Sequence, residues 1–159
     1  MTLEEKIGNI LQERSLTIGL AESCTGGLLA ERVTDVPGAS VYFEAGVVTY
    51  SNKAKTRFLA VPEEMIAQNG AVSAIVAEFM AKGIRGKAGV DIGLSITGIA
   101  GPSGGSPEKP VGTVFMGLAG KEGAYVKKFS LSGNRREIRY QASEEALIML
   151  LDYLEGRLK

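Results

Sequence analysis

Short apolar runs of strand length alternate with segments of helix length, and this order constrains the fold more than any other feature of the sequence. Three such runs are separated by helical patterns, whereas the last two follow each other directly. Parallel neighbours need a helical crossover and antiparallel neighbours need only a short turn. The order therefore predicts an α/β fold, a three-layer-like sandwich in which helices flank a mixed β-sheet, in a single domain over residues 1–159. The predicted strands cover residues 17–21, 42–50, 90–96, 113–118 and 124–131, and the predicted helices cover 3–12, 28–33, 52–59, a segment from 62, 73–84 and 134–158.

Two residue counts restrict the chemistry of any active site. The chain has no histidine and one cysteine, Cys24. Without imidazole, a Ser-His-Asp triad, a Cys-His pair and a His-containing metal site are excluded, so acid–base catalysis would use Lys, Tyr, Asp or Glu. A lone cysteine forms no disulfide within the chain and is typical of a reducing compartment, which predicts a cytoplasmic location.

The charge balance and the hydropathy pattern argue against two classes of partner. Lys and Arg number 18, as do Asp and Glu, so the formal net charge is zero and no global positive field attracts a nucleic acid. The longest apolar run, residues 146–151, is far shorter than the roughly 20 residues of a membrane span. The N-terminus is acidic and amphipathic, unlike a signal peptide. We expect neither nucleic-acid binding, export nor membrane insertion.

The segment 21–27, Ala-Glu-Ser-Cys-Thr-Gly-Gly, joins the first predicted strand to a helix. Its glycines allow backbone N–H groups to turn toward an anion or a developing oxyanion. Ser23 is therefore a candidate nucleophile, with N–H groups of residues 25–27 as oxyanion donors. The alternative interpretation is that Ser23 or Thr25 is simply the N-cap of the helix.

A serine nucleophile needs a base, and the segment 49–55 offers Lys55 with Tyr50 beside it. If Asn52 begins a helix, Lys55 lies in the first turn, where the positive end of the helix disfavours its ammonium form. Tyr50 could relay or donate a proton. The alternative interpretation is a solvated surface lysine next to a tyrosine at the edge of the core.

Two further segments have the composition of ligand-binding sites. Residues 97–112 form a long loop in the part of the chain where 12 of the 21 glycines are found, and loops of this length in compact domains are usually functional. Asn134 is a predicted N-cap with Glu137 at the capping-box position. Arg135 and Arg139 share one face of that helix, and cations near a helix N-terminus favour an anionic partner such as phosphate. The alternatives are a surface lid without a ligand and a salt-bridged surface helix.

Taken together, five segments of the sequence resemble the C-terminal domain of the competence/damage-inducible protein CinA. The similarity runs from about Leu3 to the final helix and does not extend to the N-terminal, pyrophosphatase-like domain of full-length CinA, so no activity of that domain is expected here. The segments are Ala-Glu-Ser-Cys-Thr-Gly-Gly (21–27), Gly-Val-Val-Thr-Tyr-Ser-Asn (46–52) with Lys55, Gly-Ala-Val-Ser (70–73), Ser-Ile-Thr-Gly-Ile-Ala-Gly-Pro (95–102) and Lys-Pro-Val-Gly-Thr (109–113).

This resemblance implies a function and a set of site residues. Stand-alone domains of the family act as nicotinamide mononucleotide deamidases in pyridine nucleotide salvage, hydrolysing the carboxamide to nicotinic acid mononucleotide and ammonia. The resemblance implies that Ser23 is the nucleophile and that Tyr50 and Lys55 activate it. The residues implied to surround the substrate are Thr25, Gly26, Gly27, Asn52, Thr97, Gly98, Gly101, Gly105, Arg135 and Arg139.

We therefore expect a small nucleotide substrate, no metal and no organic cofactor, while the sequence leaves a homo-oligomer open. Two other functions remain. One is a non-catalytic nucleotide-binding or competence/damage-associated interaction module, and the other is an amidase that acts on a non-nucleotide amide.

Overall fold

A computed structural model describes residues 1–158 and contains one five-stranded sheet flanked by six α-helices. It confirms the predicted α/β sandwich, including the alternation of strands and helices and the terminal β-hairpin. The strands are β1 (Ile18–Glu22), β2 (Phe43–Val48), β3 (Ile92–Gly98), β4 (Thr113–Gly120) and β5 (Gly123–Ser130), and the helices are α1 (Leu3–Glu13), α2 (Leu28–Thr34), α3 (Asn52–Leu59), α4 (Glu63–Asn69), α5 (Ala74–Ala88) and α6 (Arg135–Leu154).

The sheet is mixed, as predicted, and its strand order is β2-β1-β3-β4-β5. Strand β1 pairs in parallel with β2 and β3, whereas β4 is antiparallel to both β3 and β5. The C-terminal ends of the three parallel strands consequently lie at the same edge of the sheet. In open α/β sheets this edge is where ligands bind.

Helices α1, α2 and α6 cover one face of the sheet and α3, α4 and α5 cover the other. The central strands β1 and β3 are buried on both faces, which explains why their sequences are continuous apolar runs. Helix α5 approaches the sheet closely because β4 has a glycine beneath it. A Cβ atom at Gly117 would lie 2.4 Å from the carbonyl oxygen of Ala77, so a side chain there would push the helix away.

The longer helices begin at side-chain caps that the sequence encodes. Thr2 and Asn134 each form a complete capping box, with Glu5 and Glu137 respectively, and the second of these confirms the prediction for α6. Ser73 caps α5 by accepting a hydrogen bond from the N–H of Val76. Among residues 1–158, no helix combines the length and the apolar character needed to cross a membrane.

Several element ends differ from the prediction. Helix α5 extends to Ala88 instead of about Ile84, β3 spans Ile92–Gly98 instead of 90–96, and β4 extends to Gly120 instead of Leu118. Helix α6 ends at Leu154 instead of near Leu158, because Gly156 adopts a positive φ of 73° and the N–H of Arg157 turns back to the carbonyl of Asp152. Strand β2 ends at Val48, two residues before Tyr50. These shifts leave the topology unchanged.

Candidate active site

An open pocket of about 280 Å³ lies at the C-terminal edge of the parallel strands, bounded by the loop after β3 and the start of α6. It brings together eight of the residues that the sequence singled out, from four separate segments of the chain. They are Ser23, Tyr50, Asn52, Lys55, Thr97, Gly98, Gly101 and Arg135.

Ser23 and Lys55 form the centre of this pocket. The register of the sheet pairs Glu22 with Val48, so the residues that follow, Ser23 and Thr49, leave adjacent strands side by side. Ser51 then caps α3, and Lys55 lies one turn into that helix. Its Nζ atom lies 3.0 Å from Ser23 Oγ and donates to the carbonyl oxygen of Thr49 at 2.8 Å.

The surroundings of Lys55 favour its neutral form. The side chain is only 2 % exposed, and burial lowers the pKa of Lys55 from its usual 10.5. In the part of the chain that the structure covers, Lys55 takes part in no ion pair. The interpretation of Lys55 as a solvated surface lysine is therefore wrong. A neutral amine here can donate to Thr49 and accept a proton from the Ser23 hydroxyl, which is the arrangement a general base needs.

Cys24, the neighbour of Ser23, also lines the pocket, but its thiol is not poised to react. Burial raises the pKa of Cys24 to about 11, so the thiol stays protonated near neutral pH. Ser23 is consequently a better candidate nucleophile than Cys24, because its hydroxyl oxygen lies within hydrogen-bond distance of the Lys55 amine.

The turn after Ser23 corrects two expectations from the sequence. Gly27 occupies the N-cap position of α2, so neither Ser23 nor Thr25 caps the helix. The N–H groups of Gly26 and Gly27 are not free for an oxyanion either, since they donate to the Ser23 carbonyl at 3.0 Å and to Glu22 Oε1 at 3.3 Å. Within residues 1–158, the N–H groups of Cys24 and Thr25 donate to no backbone carbonyl. Because C=O and N–H point in opposite directions in a trans peptide, the engaged Ser23 carbonyl turns the Cys24 N–H out of the turn.

Glu22, which was not among the predicted site residues, holds this turn in place. Its side chain is 1 % exposed and accepts hydrogen bonds from the N–H groups of Leu29 and Ala30, each at 3.0 Å. The carboxylate thus replaces the side-chain cap that Gly27 lacks and faces the positive end of α2. The sequence did contain a signal for this role of Glu22, because the residue before Leu28 is a glycine, which has no side chain to cap the helix.

We expect Glu22→Gln to lower the free energy of unfolding by about 1–3 kcal/mol, because an amide replaces the charge and turns its NH₂ group toward buried N–H donors. The substitution should also lower the kcat of a reaction in which Ser23 takes part, because Glu22 directly precedes Ser23 and holds the turn that follows. Urea denaturation and turnover assays would measure both effects. Glu31→Gln, at an exposed position of α2, is the matched control, and an equal loss of stability in that variant would contradict the capping role.

Tyr50 lines the pocket at its rim. Its side chain is 60 % exposed, and its hydroxyl accepts a hydrogen bond from Arg135 at 2.8 Å. Arg135 also donates to the carbonyl of Gly101 at 2.8 Å, so it links the glycine loop to Tyr50 across the pocket mouth. Within residues 1–158, no hydrogen bond joins the Tyr50 hydroxyl to Ser23 or Lys55. The structure thus places Tyr50 at the rim of the pocket, and the proton relay through Tyr50 stays a prediction.

Some expected substrate contacts lie outside the pocket. Arg139 donates to the carbonyl oxygens of Cys24 and Thr25 at 3.0 and 2.9 Å. It therefore supports residues 23–27, which we call the nucleophile turn, from the side opposite to the pocket. Thr25 is fully buried behind that turn. Gly105 packs against Val111, where a Cβ atom would lie 2.7 Å from the backbone nitrogen, and it does not line the pocket.

The pocket also has lining residues that were not among the predicted contacts. Most of them contribute backbone or small side chains, which carry no chemical signature in a sequence. These are Cys24, Ala71, Val72, Ile99, Ala100, Ser103 and Gly104. Across residues 1–158, no group of three His, Cys, Asp or Glu side chains is placed to hold a metal ion.

Known proteins resemble this chain in sequence and in structure. The family model of the CinA C-terminal domain matches residues 1–154. A competence-damage inducible protein of Caldanaerobacter subterraneus subsp. tengcongensis is 56 % identical over 155 residues, and a CinA-like protein of Geotalea uraniireducens is 50 % identical over 157 residues. The alignments cover 98 % and 99 % of this chain but only 38 % and 36 % of those relatives.

A solved structure of a related protein has the same fold. The competence/damage inducible protein CihA from Agrobacterium tumefaciens superposes with a TM-score of 0.93 at 37 % identity, covering 96 % of this chain and 93 % of that one. The fold of this chain is therefore shared with a solved structure over most of the length of both chains. On this evidence the chain belongs to the CinA C-terminal domain family.

Proposed function

We propose that this domain is a metal-independent amidohydrolase that converts nicotinamide mononucleotide to nicotinic acid mononucleotide and ammonia through a Ser23 nucleophile. The observation that carries the proposal is the 3.0 Å contact between Ser23 Oγ and the buried Lys55 amine, which lacks a carboxylate partner among residues 1–158. A domain that only bound a nucleotide would have no use for a desolvated lysine beside a serine hydroxyl.

The first half of the reaction forms an acyl-enzyme. Lys55 Nζ takes the proton from Ser23 as Oγ adds to the carboxamide carbon, and the carbonyl oxygen becomes negatively charged. The N–H groups of Cys24 and Thr25 are the turn's available donors for that oxyanion. The intermediate collapses when the carbon–nitrogen bond breaks, the Lys55 ammonium gives its proton to the nitrogen, and ammonia leaves.

The second half uses the same two side chains with water in place of ammonia. Neutral Lys55 accepts a proton from a water molecule as its oxygen adds to the ester carbon. The ester bond to Ser23 then breaks, the proton on Lys55 returns to Oγ, and the carboxylic acid is released. The complete cycle returns Ser23 and Lys55 to their starting forms, and neither half of the reaction uses a metal or an organic cofactor.

The rim of the pocket supplies orientation. Arg135 is exposed at the mouth, and its guanidinium bonds only a carbonyl and a hydroxyl among residues 1–158, so its positive charge is available to a phosphate. Asn52, Thr97, Gly98 and Gly101 line the space between this arginine and Ser23. A substrate held at both ends would present its carboxamide to Oγ.

We expect Arg135→Ala to raise KM for nicotinamide mononucleotide about tenfold and to change kcat less than about threefold, because the guanidinium holds the phosphate and not the reacting amide. The riboside, which has no phosphate, should be hydrolysed equally by both forms. Steady-state kinetics with the two substrates would test this, with Arg57→Ala as a control. Unchanged KM in Arg135→Ala would favour an amidase for non-nucleotide amides.

The experiment that tests the proposal is ammonia release from nicotinamide mononucleotide by the purified chain, in the presence of a chelator. Release that persists with the chelator supports a serine amidohydrolase. Loss of release on chelation would contradict the metal-independent mechanism. Binding of the nucleotide without ammonia release would instead favour the non-catalytic nucleotide-binding module.

A further inference from the structure

A second cavity lies on the other side of the nucleophile turn from the catalytic pocket. It is an open groove of about 700 Å³ between the turn and the first two turns of α6. We call it the arginine groove, after the residues that give it its charge. Its lining includes Gly26, Gly27, Arg135, Arg136, Arg139 and Tyr140.

The arginine groove carries a positive charge that the protein does not neutralise. Arg135, Arg136 and Arg139 form no ion pair within residues 1–158, and Glu31 is the single carboxylate in the groove lining. Arg135 and Arg136 also occupy the first turn of α6, where the helix dipole adds to their mutual repulsion. In a chain whose formal net charge is zero, this concentration of positive charge is local, and an anion would relieve it.

Geometry joins this groove to the catalytic pocket. Arg135 lines both cavities, so a ligand that reaches Arg135 from Ser23 arrives at the entrance of the groove. The catalytic pocket, at about 280 Å³, is slightly below the usual size of small-molecule sites, which is about 300–1,000 Å³. A ligand longer than a mononucleotide therefore has to extend beyond it, and the arginine groove is the adjoining space of suitable charge.

We propose that the arginine groove binds the second phosphate of a pyrophosphate-linked nucleotide whose first phosphate contacts Arg135 and whose nicotinamide lies at Ser23. This proposal rests on the proposed function and extends its substrate class from mononucleotides to dinucleotides that bear the same amide. Arg136 is the residue specific to the groove, because Arg135 serves both cavities and Arg139 bonds the turn carbonyls. Its planar guanidinium suits the paired oxygens of a phosphate.

Calorimetric titration of the Ser23→Ala protein at fixed ionic strength tests this, because the substitution prevents turnover while ligands bind. The probes are nicotinamide mononucleotide, the corresponding nicotinamide adenine dinucleotide and inorganic pyrophosphate. When Arg136→Ala is introduced into the Ser23→Ala protein, we expect binding of the dinucleotide to weaken about tenfold and binding of the mononucleotide to weaken less than about twofold. Arg57→Ala, at an exposed position where the guanidinium lies over the ring of Phe58, should alter neither.

Three results would overturn the proposal. The first is an equal loss for both nucleotides in Arg136→Ala, which would place the single phosphate of the mononucleotide in the groove. The second is dinucleotide binding that does not depend on Arg136. The third is Arg136-dependent binding of pyrophosphate without binding of the dinucleotide, which would make the groove a site for a free anion. Because binding is measured without turnover, a parent protein that released no ammonia would refute the proposed reaction but not an Arg136-dependent dinucleotide site.

Discussion

Ser23→Ala is expected to lower kcat for nicotinamide mononucleotide by at least about 1,000-fold, because no acyl-enzyme can form without Oγ. The affinity for the mononucleotide should change little, since Arg135 and the loop after β3 remain in place. Ammonia release and calorimetric binding would measure the two quantities on the same preparation. Loss of turnover together with retained binding is the signature of a nucleophile.

Ser130→Ala is the matched control for this variant, because Ser130 is an exposed serine on β5, away from the pocket. It should retain the activity of the parent protein. Turnover of Ser23→Ala within about tenfold of the parent would contradict the assignment of Ser23 as the nucleophile. In that event Lys55 would have to activate water directly.

Lys55→Met should lower kcat by about 100- to 10,000-fold, the usual contribution of a general base. Methionine has a similar length and an apolar side chain, so it fills the buried site without the amine. In the parent protein kcat should rise with pH as the Lys55 ammonium loses its proton, with a midpoint below the usual pKa of 10.5, because burial lowers this pKa. A pH profile of kcat for both proteins would reveal whether that rise disappears with the amine.

The same substitution makes a prediction for stability. Since the pKa of Lys55 is lower in the folded protein than in the unfolded chain, the unfolded chain binds more protons between the two values. The free energy of unfolding of the parent should therefore rise with pH between the lowered pKa and 10.5, and Lys55→Met should remove this part of the rise. Lys53→Met, at an exposed position of the same helix, is the control and should keep it. An unchanged slope in Lys55→Met would show that Lys55 does not titrate in this range.

Most of the fold could be predicted from local patterns. The runs that became β1 and β3 are continuous and apolar because both faces of these strands are buried, and the capping box at Asn134 marked the start of α6. The end of α6 was harder to predict, since its last predicted residues are compatible with a helix. The positive φ of Gly156 ended it four residues earlier than expected.

Part of the candidate site could also be predicted from the sequence. Ser23, Tyr50 and Lys55 follow predicted strands, and a parallel arrangement brings the C-terminal ends of such strands to one edge of the sheet. The side chains that lie elsewhere than in the predicted pocket have partners far away in sequence. Arg139 was expected near the substrate, but it bonds carbonyls 115 and 114 residues away at Cys24 and Thr25. No spacing along the chain predicts such a contact, because it depends on how α6 packs against the turn.

The sequence by itself determined the α/β class, the order of the elements and the absence of histidine chemistry, because strand and helix periods, caps and composition are local properties of the chain. Only the tertiary structure decided the state and partners of the reactive groups. Burial by distant elements favours the neutral amine of Lys55, and Glu22 and Arg139 hold the turn that presents Ser23. Desolvation and hydrogen bonding act through space, so they appear only when the segments are packed together.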